Sequence, residues 1–179
     1  PSPPPSPPPS PPPPSPIPPL ASLPELPRLG ATMSSTLERH YASRCIDDSL
    51  TTFCHTLEET AWPWLSIQLP AFPSPSQVSY ALVYNRAGST AGRLTPFQLW
   101  VGSAPGDYDS ATSASCGVDE VNLTTAAAVG PFSFRCADAS GDALIGEYLT
   151  LVLPGPSRTL HITEIRAYSP FASPSPPPP

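Results

Sequence analysis

The chain predicts an all-β globular domain, a sandwich of antiparallel strands, set between two proline-rich arms. Three observations predict it. Apolar and polar residues alternate at a period of two in several short runs, while helical periodicity is scarce. Ser, Gly and Pro clusters punctuate those runs at short intervals. Both ends are too rich in proline to join helix or sheet: 14 of the first 19 residues and 5 of the last 6 are Pro. Proline lacks a backbone N–H and fixes φ, and it pushes the preceding residue to extended backbone.

Taken in order, residues 1–19 read as a Ser-Pro arm in which Ser2, Ser6, Ser10 and Ser15 separate the blocks Pro3, Pro4, Pro5, then Pro7, Pro8, Pro9, then Pro11, Pro12, Pro13, Pro14, then Pro16. Such a segment predicts a polyproline II rod, extending about 60 Å at about 3.1 Å per residue. Residues 20–28 (LASLPELPR) read as a linker, with Pro24 and Pro27 blocking helix. The domain is expected over 29–169 and a Pro-rich tail over 170–179. Within the domain, Leu65, Ile67 and Leu69 alternate with Ser66 and Gln68. Val78, Tyr80, Leu82 and Tyr84 form a second alternating set, and Phe97, Leu99 and Val101 a third. Tyr148 to Leu153 is nearly continuous apolar chain, as a central strand requires, and Leu160 to Tyr168 reads as the closing strand. Residues 87–92, 103–115 and 154–157 read as loops. Antiparallel strands packed as two sheets fit this order best.

Composition narrows the functional class. The net charge is −6, and arginine supplies every strong base, since the chain has no lysine. That balance argues against nucleic acid. No apolar run approaches the roughly 20 residues of a membrane helix. Four cysteines, Cys45, Cys54, Cys116 and Cys136, suit disulfides and an oxidising compartment. Asn122-Leu-Thr is an N-glycosylation acceptor, in keeping with secretion. The chain begins inside a repeat, so we expect a mature or excised segment. No Gly-x-Ser-x-Gly elbow and no phosphate-cradling glycine loop occur. His40 and His161 have no evident acid–base company in the sequence. Glu58-Glu59 and Asp119-Glu120 read as solvated loop charges. We expect no enzymatic activity. A zinc site lacks a second suitably spaced Cys/His set beside Cys54-His55.

Two resemblances sharpen the reading. The Ser-Pro runs resemble the hydroxyproline-rich glycoproteins of plant and green-algal walls, which implies O-glycans on the arm's Ser and hydroxylated Pro. The ordered landmarks Cys45-Ile-Asp-Asp, Phe53-Cys-His-Thr, Trp62-Pro-Trp-Leu-Ser-Ile-Gln-Leu, Tyr84-Asn-Arg, Gly92-Arg-Leu, Leu99-Trp-Val-Gly and Thr163-Glu-Ile-Arg resemble a discoidin domain of the F-type, fucose-binding lectin kind. That resemblance implies a jelly-roll β-sandwich of about eight antiparallel strands with its binding loops at one end.

It also implies a sugar site made of His55, Arg86 and Arg93, with the arginine forks and a neutral His bonding to hydroxyls. The family's adjacent cysteines between the two arginines are replaced here by Ala87-Gly-Ser-Thr-Ala91. Trp62 and Trp100 offer a stacking surface or, for Trp100, packing on the sheet. A structural Ca²⁺ is implied, held by the carboxylates of Asp47 and Glu164 and carbonyls of Arg44, Ser49, Thr163 and Thr52 or Phe53. Asp48 stands where the family usually has Gly. The family's pattern pairs Cys116 with Cys136 and leaves Cys54 to join Cys45, each bridge worth about 3 kcal/mol.

The expected function is an extracellular structural glycoprotein of a matrix, wall or surface fibre. Its lectin-like domain would bind glycans on its own or neighbouring arms and self-associate into a fibre. A fucose-type lectin for adhesion or recognition, and a protein-binding discoidin module without a sugar site, are the alternatives.

Overall fold

The computed structural model of the chain describes residues 20–58, 61–117 and 129–170. The Ser-Pro arm, Glu59, Asp119, Glu120, Asn122 and the tail from residue 171 lie outside the described residues.

Eleven short strands make up the domain: β1 (Gly30–Met33), β2 (Cys54–His55), β3 (Trp64–Gln68), β4 (Ser76–Val78), β5 (Tyr80–Asn85), β6 (Gln98–Gly102), β7 (Ser113–Ser115), β8 (Phe132–Arg135), β9 (Leu144–Gly146), β10 (Tyr148–Val152) and β11 (His161–Tyr168). A five-stranded sheet runs β1-β3-β10-β6-β7, a four-stranded sheet β2-β11-β5-β8, and β4 pairs with β9. Every pairing is antiparallel. The fold is therefore the all-β sandwich that the alternation predicts. The count exceeds the expected eight because β2, β4, β7 and β9 have only two or three residues each, too short to show a period.

In β3 and β6 the alternating residues face the core as a period of two demands. Leu65 and Ile67 from β3, Leu99 and Val101 from β6, and Leu149 and Leu151 from β10 are all buried in one cluster. The set Val78, Tyr80, Leu82 and Tyr84 is corrected: Val78 belongs to β4, the break at Ser79 shifts the phase, and Ala81 and Val83 of β5, with Ile165 and Ala167 from β11, meet the core from the other sheet. Each aliphatic chain removed from water this way contributes about 1.5–3 kcal/mol.

The polar side of the five-stranded sheet is also covered. Ser66 Oγ and Thr150 Oγ1 lie 2.7 Å apart, and the Gly106 N–H donates to Ser66 Oγ at 2.8 Å. Gly106 has φ +72°, and a Cβ there would come within 2.8 Å of the Trp64 ring. Only glycine lets the 103–112 loop lie this close to the sheet.

β11 breaks the simple alternation. Ile162 and Ile165 are both fully buried, although residues three apart point to opposite faces of a regular strand. The register against β5 slips between Ile162 and Glu164, a bulge at Thr163 that reverses the phase. Beyond it, Glu164 and Arg166 share the face that meets Arg28: the guanidinium pairs with the Glu164 carboxylate and donates weakly to the Ile165 carbonyl.

Residues 20–28 are not a free linker. Leu23 and Leu26 are buried, the Leu26 N–H donates to Ala167 O at 2.8 Å, and the Ser169 N–H donates to Pro24 O at 3.0 Å. Glu25 bridges Tyr168 in antiparallel fashion. Prolines forbid helix but not an extended edge segment, and this one lies along the end of β11. The domain thus begins at residue 20, and the chain enters and leaves it side by side.

Two disulfides are present, Cys45–Cys54 and Cys116–Cys136, with Cα–Cα distances of 5.5 and 3.9 Å. The first ties the 45–54 loop to β2. No helix among the described residues is long and apolar enough to cross a membrane.

Candidate binding site

The pairing of β2 with β11 sets His55 directly opposite His161. Their rings stack with centroids 5.2 Å apart. His161 has no exposed surface, and apart from its own backbone neither ring nitrogen meets a polar partner among the described residues. Burial, first, and then the nearby His55, Arg86 and Arg93 push its pKa down to about 4. His55 is shifted the same way by burial, against its bond to Thr56 and with the help of Arg86, His40 and Arg93. All three residues expected to form a sugar site therefore lie close enough to His161 to act on its charge.

His55 has a defined role there. Its Nδ1 lies 2.6 Å from Thr56 O. A carbonyl oxygen only accepts, so Nδ1 carries the proton, and the neutral ring keeps Nε2 as an acceptor. Nε2 would therefore accept a hydroxyl proton, leaving donation to Arg86 and Arg93.

Arg86 follows β5, where the buried Asn85 organises the turn. Asn85 Oδ1 accepts from the Arg86 N–H at 2.8 Å, and its Nδ2 donates to Ala91 O at 3.0 Å. The Arg86 guanidinium carbon sits 3.9 Å from the Phe53 ring centroid, and His40 stacks on the same ring at 4.3 Å. Two groups that close to one centroid occupy opposite faces. His40, Phe53 and Arg86 thus form one layered stack, and Arg44 Nη1 reaches the edge of the His40 ring, 3.4 Å from Nδ1. Phe53 was expected to lend only a carbonyl; its ring positions Arg86.

Arg93 lies on a short 3-10 turn, Ala91–Leu94. Arg158 braces that turn. Its Nη2 donates to Arg93 O and Thr95 O, each at 2.9 Å, and its Nη1 donates to Pro154 O at 2.9 Å. Beside it lies a polar depression of about 270 Å³ lined by residues including Glu58, Arg93, Thr95 and Arg158. Neither tryptophan joins this site: Trp62 stacks on Tyr108 at 6.0 Å, and Trp100, half-buried on β6, donates from Nε1 to Gln98 Oε1 at 3.0 Å.

The two carboxylates expected to hold calcium are engaged by the protein itself. The Asp47 carboxylate accepts from the Ser49 N–H at 3.0 Å and from Thr52 Oγ1 at 2.7 Å. The fully buried Glu164 carboxylate lies against the Arg28 guanidinium, although neither of its oxygens makes a hydrogen bond among the described residues. Arg28 Nη2 also contacts Asp48 Oδ1 at 2.6 Å and Glu25 Oε1 at 3.2 Å. Arg166 reaches the same two carboxylates, at 3.0 and 3.2 Å. A hard cation wants six to eight oxygens around it, and a guanidinium among them brings repulsion instead. The donor set at Glu164 does not fit a divalent ion.

No protein-family model matches the chain, and no curated protein matches it. Its likeness is to solved structures. A fucolectin (F-lectin) from striped bass (Morone saxatilis) serum superposes with a TM-score of 0.63 at 21% identity, over 78% of this chain and 46% of that one. A fucose-binding module of Streptococcus pneumoniae gives 0.59 at 18% identity, over 80% and 95% of the two chains. The family 32 CBM of Clostridium perfringens NanJ, in complex with galactose, gives 0.56 at 17% identity, over 78% and 93%. The chain spans less than half of the fucolectin chain. These likenesses show that the sandwich has the discoidin-type fold shared by F-type lectins and family 32 CBMs.

Proposed function

We propose that this domain is a non-enzymatic glycan-binding module, carried by Ser-Pro-rich arms in an extracellular structural glycoprotein. The observation that carries the reading is the stack of His55 on His161, with Arg86 and Arg93 close enough to act on both rings. Two guanidinium forks offer donors to vicinal hydroxyls, and the Nδ1-protonated His55 offers an acceptor. That is the complementarity a sugar requires, on a fold whose solved relatives include fucose- and galactose-binding modules. The two disulfides suit an oxidising compartment.

The positions of Glu25 and Tyr168 relative to His161 support a role between chains. β11 spans eight residues, about 23 Å at about 3.3 Å per residue. His161 stands at its first residue and Tyr168 at its last, where the segment from the N-terminal arm pairs with it. The site and both chain exits are at opposite ends of the domain. A glycan on a neighbouring chain meets the site more readily than one near the exits of its own.

A glycan array probed with the full chain tests the reading. Wild type binds a defined set of sugars, and Arg86→Ala and Arg93→Ala abolish binding while leaving the melting curve close to wild type. A folded wild-type chain that binds no sugar refutes the module reading. Mass spectrometry of residues 1–19 from native material tests the arm, which should carry hydroxyproline and pentose or hexose; bare proline and serine refute the glycoprotein reading.

A further inference from the structure

The Arg28 cluster has a different chemistry from the sugar site and lies further along β11, at Glu164 and Arg166. Three carboxylates, Glu25, Asp48 and Glu164, meet two guanidinium groups, Arg28 and Arg166. Arg28, Asp48, Arg166 and Glu25 form a closed ring in which each charge touches two of opposite sign. Glu164 lies beneath it, fully buried, with Arg28 as its counter-charge.

We infer that the Arg28 guanidinium is the built-in cation of this domain: it closes the 45–54 loop onto β11 and makes assembly independent of calcium. Two features of the chain point the same way. First, Asp48 has φ +61°, a left-handed conformation that favours glycine. The carboxylate at this strained position contacts both arginines, and the adjacent guanidinium of Arg28 holds its pKa below the usual carboxylate range. Glycine would suit the backbone but would open the ring. Second, Asp47, the other carboxylate of the loop, is turned into its own turn by Ser49 and Thr52. One carboxylate is thus spent on loop geometry and the rest are neutralised by arginine.

A metal-bound loop would respond to chelation. This loop instead depends on the segment that follows the N-terminal arm, because Arg28 is held there by the burial of Leu26 and the pairing of residues 24–26 with β11. The latch between loop and last strand is therefore supplied by the root of the arm.

The experiment uses the full chain. Thermal unfolding of wild type is followed in excess calcium chloride and in EDTA, with calorimetric titration of calcium into the chelator-treated protein. The inference expects the same melting midpoint in both buffers and no saturable heat. It expects Arg28→Met, which keeps the stem and removes the charge, to melt roughly 10 °C lower in either buffer, as breaking a buried ion pair does. A wild-type midpoint that rises with calcium, stoichiometric calcium binding, or an Arg28→Met variant that melts with wild type overturns it. Should Arg28→Met fail to fold, the wild-type titration decides alone. Sugar binding enters none of these readouts, so the result stands whether or not the domain is a lectin.

Discussion

Acidification should destabilise this domain well before its carboxylates titrate, and His161 sets the size of the effect. In the unfolded chain its imidazole has a pKa near 6.5; in the fold it is pushed down to about 4 by burial and by His55, Arg86 and Arg93. Between those values the unfolded state binds more protons, so stability is complete above pH 6.5 and falls as pH drops. The full shift corresponds to about 3 kcal/mol, of which about 2 kcal/mol is lost by about pH 5. His55, shifted in the same direction, adds to the loss. Asp48 and Asp107 do not contribute in this window, because their carboxyls are held below 3.8. Urea denaturation at about pH 7.5 and pH 5 measures the slope. In His161→Phe, which keeps a ring against His55 and forgoes nitrogens that have no partner, most of the slope should vanish. A His161 ring that titrates near 6.5 by NMR, or a pH slope that survives His161→Phe, refutes the reasoning.

Other perturbations follow from the same geometry. Phe53→Ala removes the platform under Arg86 and should weaken sugar binding about fivefold, the loss of about 1 kcal/mol of cation–π contact, while Phe53→Tyr keeps it; array titration distinguishes them. Arg158→Ala should release the 91–96 turn, raising amide exchange there and weakening the sugar affinity without moving the melting midpoint of the core. Asp48→Gly relieves a left-handed backbone yet should lower the midpoint, because both arginines lose a carboxylate; a higher midpoint would show that the ring contributes nothing. Leu26→Ala should cost about 2–3 kcal/mol in urea unfolding, since the residue is buried against the core rather than part of a free linker.

What the sequence made legible was whatever repeats locally. Period-two alternation located β3 and β6, a continuous apolar run located β10, and for β5 the alternation found the strand but not its core face. It missed β2, β4, β7 and β9, which have two or three residues and owe their pairing to neighbours. His55, Arg86 and Arg93 were named together from the resemblance, but the contacts around them are non-local. His161 acquires its partner only through the β2–β11 register, 106 residues from His55 in sequence. Phe53 and Arg158 act through ring stacking and through carbonyls brought near by folding. Neither leaves a spacing that could be read. The direction of the His55 hydrogen bond was likewise hidden, since it depends on the Thr56 carbonyl lying 2.6 Å from Nδ1. Residues 20–28 were read as a linker because prolines argue against helix; Pro24 and Pro27 remove two of its nine N–H groups, and the rest of the segment can still pair along a strand.

An in-line bead would have its two ends at opposite sides. Here Pro24 and Ser169 are hydrogen-bonded neighbours, and Glu25 faces Tyr168 across an antiparallel bridge, so the two ends of the domain lie side by side. Tension applied between the two exits peels the 24–26 segment from the end of β11 before it loads the core. The first ties to be strained are the Leu26–Ala167 and Pro24–Ser169 bonds and, behind them, the Arg28 ring. His55 and His161, at the far end of the same strand, are the last part of β11 to feel it.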